Sequence, residues 1–337
     1  MISAPCTPCL SPDCSRPERS IKKTADAAGS KQNRVDTNMP QRRQVIFFLA
    51  TIFVLVLAAF LFVGRGEKTV KGEKIRVVTT FLPIYVFTKN VTGDLAEVEN
   101  LLPPGAGPHE YSFTPGDVQK ISRADVLVMN GLGAEAWAAG VIKESGTMAK
   151  IIDASVSVPV RLRKGTPDPH IWLSPTLVQM MVANIAAGLA AADPKNAAGY
   201  QSNAEVYLKK IQKLADDYDF YLESPAIKRT DFIAFHAAFG YFAERFGLIE
   251  RAVIEEFPGK EPGAKYLAGV VDLIRREKVR ALFSEPQFSP KVLETVAKET
   301  GLRVRQLDTA ETGPLLPDTY ELIMRKNLET LIEALSE

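Results

Sequence analysis

The sequence predicts an α/β fold: two parallel-sheet lobes joined by one long helix, preceded by an N-terminal membrane helix. Three observations carry this. From Ile75 onward, short β-branched runs alternate with stretches of helical length, the rhythm of parallel α/β units. Midway, Lys195–Leu222 keeps apolar residues at helical 3/4 spacing for 28 residues, far longer than the other helical stretches. Near the start, Val45–Val63 runs 19 residues without a charge, about 28 Å as a helix and enough to cross a bilayer.

Residues 1–44 are rich in Ser, Pro, Thr, Lys and Arg and lack periodicity, which predicts a disordered cytoplasmic tail. Met39 opens MPQRRQVIFF, an ordinary positively charged leader, so residues 1–38 read as lying ahead of the true start. All three cysteines, Cys6, Cys9 and Cys14, sit in this tail. A zinc site would need a second pair beside Cys6 and Cys9, so they read as solvated thiols. Arg42 and Arg43 should hold the near end of residues 45–63 inside, which places everything after Arg65 outside the membrane. With no small-x-small cleavage site and no cysteine directly after the run, an uncleaved signal anchor is expected. The absence of cysteine from 65 to 337 suits an oxidising compartment.

The first lobe is expected over residues 75–192. Ile75–Leu82 and Ala96–Leu102 read as strands around a helix at Ile84–Thr92. Pro115–Ala124 reads as a helix capped by Thr114 with Pro115 at its first position. Asp125–Met129 and Ile151-Ile152 are further strands. Pro175–Ala192 is helical and alanine-rich. Asp193-Pro194 restarts a helix, so residues 193–223 form the strut between lobes. The second lobe, 228–337, repeats the pattern. Strands are expected at Asp231–Phe235, Ala252–Glu255, Val279–Ser284 and Val304–Leu307. Helices are expected at Phe239–Phe246, Leu267–Glu277, Pro290–Thr300 and Asp318–Leu335, with a loop at Pro258–Gly263.

The net charge of +1 offers no field for nucleic acid, and no Gly-rich phosphate loop is present. The chemistry points to a metal instead. The chain holds three histidines, His109, His170 and His236, each beside turn chemistry or at the end of a β-like run. Glu285 and Asp308 also follow strands. Open α/β sheets bind ligands off the carboxyl ends of their strands, so two facing lobes would bring these residues together. Three imidazoles with a carboxylate or water make a zinc sphere; manganese or a close relative is the alternative. Glu110 and Asp168 read as supporting or solvated residues, and Trp172, Tyr111 and Phe239 as packing around the site.

The region from about Arg76 to the C-terminus resembles the metal-binding solute-binding proteins of bacterial ABC importers, the zinc/manganese cluster typified by ZnuA- and TroA-like proteins. The resemblance rests on VVTTFLPI, LLPPGAGPHEYSFTPGDVQKISRADVLVMNGLGAE, DPHIWLSP, FHAAFGYFAERFGL and SEPQFSPK followed by RQLDT. It implies two lobes bridged by a long helix with little hinge motion. It further implies delivery of Zn²⁺, or less favourably Mn²⁺, to a membrane permease driven by an ATPase, by a monomer on the outer face of the membrane or in the periplasm. Carried over by position, the ligands are His109, His170, His236 and, fourth, Asp308, with Glu285 as a supporting or alternate ligand. Two departures stand out. Ala237 replaces an acid beside His236, and Thr309 replaces the proline after Asp308, which should leave that loop less rigid. Manganese members place a carboxylate third, so His236 points to zinc. The chain has no His-rich loop. Competing readings are an extracytoplasmic zinc hydrolase with Glu285 as general base, against which stands the lack of HExxH, and a surface adhesin with metal as a staple.

Overall fold

The computed structural model describes Leu49, Thr51, Ile52 and residues 73–336 except 257, 258, 260, 261 and 290. The expected tail and its cysteines lie outside the described residues. So does the expected membrane span, apart from Leu49, Thr51 and Ile52, which are helical and exposed.

Two four-stranded parallel sheets frame residues 73–336. The first has the order β2-β1-β3-β4, with β1 Arg76–Thr79, β2 Glu97–Asn100, β3 Val126–Met129 and β4 Lys150–Asp153. Its central strands are apolar on both faces, as parallel strands covered by helices must be. The second has the order β10-β9-β7-β8, with β7 Asp231–His236, β8 Ile249–Glu255, β9 Ala281–Ser284 and β10 Val304–Gln306. A short antiparallel hairpin, β5 Leu162–Arg163 and β6 Thr166–Pro167, lies between them in sequence.

Most helices fall where periodicity puts them. Helix α1, Leu82–Thr92, begins earlier than expected, because Pro83 starts the helix instead of ending the strand. Helix α2, Pro115–Ser122, opens with a full capping box: Asp117 N–H donates to the Thr114 hydroxyl, and Thr114 N–H donates to the Asp117 carboxylate. Helix α3, Ala138–Ser145, and the β5–β6 hairpin are unheralded in the sequence; each is too short to establish a period.

Helix α4, Pro175–Ala192, is the one described helix long and apolar enough to cross a membrane by length and composition. It is a core helix here, with Val178, Met181, Val182, Ile185 and Leu189 wholly buried. A 3-10 turn at Pro194–Asn196 leads into α5, Ala197–Leu222, whose 26 residues span about 39 Å. Its buried stripe includes Tyr200, Ala204, Tyr207, Ile211, Leu214 and Tyr218. The hydroxyl of Tyr218 donates to Met324 O at 2.6 Å and that of Tyr207 to Glu321 Oε2 at 3.2 Å, so α5 is tied to the C-terminal helix α9, Thr319–Ser336.

One core runs through both halves. It joins Val77, Val126 and Trp172 with α4, α5 and α9 and continues to Phe232, Phe239 and Phe283 beside the second sheet. A smaller core containing Ile233, Phe235, Val270 and Leu282 lies apart from it, with α7, Ala264–Glu277, and α8, Lys291–Thr300. The large shared core explains why Lys71–Glu337 forms a single compact unit, and it opposes wide hinge opening, which would expose apolar surface to water.

Candidate metal centre

Each histidine is held by a different local device. His109 sits in the loop after β2. That loop is pinned where Trp137 Nε1 donates to Pro108 O at 2.9 Å, with the Tyr111 ring edge-on to Trp137 at 5.3 Å. His170 precedes the 3-10 turn Ile171–Leu173, not a strand of either large sheet. Its Nδ1 lies 2.7 Å from Oδ1 of the buried Asp168, and its backbone N–H donates to the same oxygen at 3.2 Å. His236 is the last residue of β7. Its Nδ1 lies 2.7 Å from Glu285 Oε2, and its backbone N–H donates to Glu285 Oε1 at 3.0 Å. A carboxylate only accepts, so both rings carry hydrogen on Nδ1 and turn Nε2 inward.

The three Nε2 atoms meet around one carboxylate oxygen, Oε1 of Glu311, all within 4.8 Å of one another. Glu311 Oε1 is 3.5 Å from His109 Nε2, 3.7 Å from His236 Nε2 and 4.0 Å from His170 Nε2, and His109 Nε2 is 3.1 Å from His170 Nε2. Four ligands around zinc at its usual bond lengths stand about 3.3 Å apart, so the cluster is near that size already. Among the described residues, His236 Nε2 and Glu311 Oε1 are buried without any hydrogen-bond partner. Two buried polar atoms facing each other without a hydrogen bond are costly unless a cation joins them.

Asp308 and Glu285 are not members of this cluster. The main chain of Asp308 is clasped by Asn327, which accepts from its N–H at 2.8 Å and donates to its C=O at 2.7 Å. The Asp308 carboxylate turns back to accept from Ala310 N–H at 2.8 Å. Ala310, with φ of 55°, sends the chain round so that the acid three residues after Asp308 enters the site. The carboxylate that faces the three imidazoles is therefore that of Glu311 and not that of Asp308; sequence reasoning passed it over because nothing local separates it from any other loop glutamate. Thr309 does not loosen this loop: it is wholly buried, and its C=O accepts from Trp172 Nε1 at 2.8 Å. Glu285 is spent on His236. Glu110 runs against Gly259, where a Cβ would stand 2.1 Å from Glu110 Oε1, so a larger residue there would push the Glu110 carboxylate aside. Phe239 packs on Phe232 and Phe242, and the Trp172 ring lies 5.1 Å from that of His170.

The electrostatics follow the burial. Burial, helped by the neighbouring imidazoles, lowers His170 to about 4, against the pull of Asp168. Burial also opposes charge on His236, but Glu285 and Glu311 outweigh it and hold the imidazolium up to about 9. Burial works against ionisation of Glu311 as well, yet His109 beside it and the other two imidazoles bring it down to about 2. Burial, with Glu285 and Glu311 nearby, raises Asp308 to about 6. The cluster opens onto a cavity of about 520 Å³ lined by the histidines and by Arg163, Lys164 and Glu256. The His109 side chain is the most accessible of the four at 19%.

Two parallel-sheet lobes sharing a core, with a buried three-histidine, one-carboxylate cluster off the strand ends, define a metal-binding solute receptor of the two-lobed type. Comparison with known proteins agrees. The family model "Zinc-uptake complex component A periplasmic" (ZnuA) matches residues 77–334, and the chain belongs to that family. It is 32% identical over 311 residues to the high-affinity zinc uptake system protein ZnuA of Bacillus subtilis (strain 168), covering 86% of this chain and 97% of that protein. Among solved structures it is similar to FpvC of Pseudomonas aeruginosa in complex with Mn²⁺, with TM-score 0.72, 31% identity and coverage of 78% and 98%. It is also similar to Lmb of Streptococcus agalactiae, described as bifunctional with adhesin and metal-transporting activity, with TM-score 0.71, 32% identity and coverage of 77% and 99%.

Proposed function

We propose that the chain is the extracytoplasmic metal-binding component of an ABC importer. It captures Zn²⁺ at His109, His170, His236 and Glu311 and presents it to a membrane permease coupled to an ATPase. The observation that carries this is the convergence of three Nε2 atoms and one carboxylate oxygen, two of them buried with no other partner. Three imidazoles and one carboxylate suit a four-coordinate, borderline-soft ion better than manganese, which favours oxygen ligands and higher coordination. The family description and the B. subtilis relative support zinc; the manganese complex of FpvC keeps manganese as the rival cargo.

The protein works as a monomer, held near its permease by the uncleaved apolar segment at residues 45–63. Asp168 and Glu285 orient His170 and His236, so the histidines are set before the ion arrives. That supports reversible capture more than a structural staple, which would need the metal in order to fold. The hydrolase reading loses its general base, because both oxygens of Glu285 face His236 Nδ1 at 2.7 and 2.9 Å. Calorimetric titration of chelator-stripped protein with Zn²⁺ and Mn²⁺ is the test. One tight zinc site with weaker manganese binding is expected, and unchanged zinc affinity in His236→Ala would overturn the site.

A further inference from the structure

Behind the cluster, a single amide connects the two buried glutamates. Gln287 follows β9 and its turn, and its Nε2 lies 3.3 Å from Glu311 Oε2, 3.2 Å from Glu285 Oε2 and 2.9 Å from Thr309 Oγ1. Its orientation is set by charge. Turned the other way, the amide oxygen would face two carboxylates that only accept, so the nitrogen end must point at them. The cost is visible at the far end, where Gln287 Oε1 is buried without a partner among the described residues. The two carboxylates do different work: Glu285 fixes the His236 ring, and Glu311 supplies the fourth donor.

We propose that Gln287 is a specificity-determining positioning residue for the metal cargo: by engaging Glu311 Oε2 it leaves only Oε1 for the ion. A carboxylate can bind through one oxygen or both. Here Oε1 is the orphaned atom 3.5–4.0 Å from the three imidazole nitrogens, while Oε2 is turned to the Gln287 amide. On the other side, Oε2 lies 3.5 Å from the place of a Cβ on Gly107, in the loop that brings His109. A glutamate so held gives one bond, and with three imidazoles it closes a tetrahedron, the geometry of zinc. Freed, it could swing to offer both oxygens and raise the coordination number toward what manganese prefers. Thr309 takes part through its hydroxyl, which accepts one of the two amide hydrogens at 2.9 Å and leaves the other shared between Glu311 Oε2 and Glu285 Oε2; a proline at that position could not.

This inference rests on the zinc-capture reading above. Its test compares wild type with Gln287→Met, which keeps the chain length and loses the donor, and with Thr309→Val, which removes only the anchoring hydroxyl. Zn²⁺ and Mn²⁺ affinities are measured for each, together with the visible spectrum of the Co²⁺-loaded protein, whose bands are intense for four-coordinate ions and weaken at higher coordination. In Gln287→Met, zinc should weaken by about tenfold, manganese should weaken less or tighten, and the cobalt bands should lose intensity. Thr309→Val should move all three readouts the same way by a smaller amount, and it decides the question if Gln287→Met does not fold. Equal weakening of both metals, or an unchanged zinc-to-manganese ratio and cobalt spectrum in the folded variants, would overturn the role of Gln287 while leaving capture intact. A wild type that binds no zinc overturns both.

Discussion

Glu285 grips His236 twice, through the ring at 2.7 Å and through the backbone N–H at 3.0 Å. The pair is buried, so the carboxylate both aims the ring and supplies charge where water cannot. Glu285→Gln should keep the shape and lose the charge. Zinc affinity is expected to fall by about 10–100-fold, the usual loss for a partner behind a ligand, with the fold retained. Competition against a chromogenic chelator would measure it, and a loss under about twofold would detach Glu285 from the site.

The fourth donor separates two neighbouring acids. Glu311→Gln should remove the anionic oxygen facing the histidines and weaken zinc by at least about a hundredfold, judging from the several kcal/mol at stake when a buried charge loses its partner. Asp308→Asn should change affinity little, because that carboxylate accepts from Ala310 N–H and is not among the four converging atoms. The reverse order of effects would restore Asp308 as the ligand.

Proton release reports which imidazole the metal must deprotonate. An ordinary imidazole near 6.5 would confine the pH dependence to mildly acid conditions. His236, raised to about 9, is instead protonated at pH 7.5, and zinc must displace the Nε2 proton; His170, lowered to about 4, is already neutral. Affinity should therefore rise with pH from 7 toward 9, by up to about tenfold per unit, and level off above. Calorimetry in buffers of different ionisation enthalpy should count about one proton released at neutral pH. Affinity flat between pH 7 and 8.5 would show that His236 is neutral before binding.

Trp172 links the turn that carries His170 to the loop that carries Glu311. It donates to Thr309 O at 2.8 Å and accepts the Tyr320 hydroxyl on its own C=O at 2.7 Å. Trp172→Phe would strand a buried carbonyl and leave a void, so a loss of about 2–4 kcal/mol is expected. Urea unfolding of the stripped protein measures this, and a change within about 0.5 kcal/mol, typical of surface substitutions, would refute it.

Gly188, on α4, faces Ile152 so closely that a Cβ would lie 2.7 Å from two of its side-chain carbons. Gly188→Ala gains helix propensity but overpacks the contact with β4. A net loss of about 1–3 kcal/mol in thermal or urea unfolding is expected; a gain would mean that Ile152 has room to turn.

The alternation of short apolar strands with helical stretches, the Thr114 cap and the long stripe from Tyr200 to Tyr218 were legible because strand period, helix period and capping are local physics. The three histidines were legible for a related reason: they are scarce, and they stand at turns or strand ends where α/β folds place ligands. Helix α3 and the β5–β6 hairpin were not, since each is shorter than the window over which a period can be read. The choice of Glu311 over Asp308 lay wholly in the tertiary structure. It depends on Asn327, 19 residues further on, clasping the main chain of Asp308, on Ala310 turning left-handed, and on Gln287 from another strand end meeting the second oxygen of Glu311. Sequence spacing carries the reach of a chain but not its direction after a turn, and that direction, fixed by contacts between distant segments, decided which carboxylate faces the imidazoles.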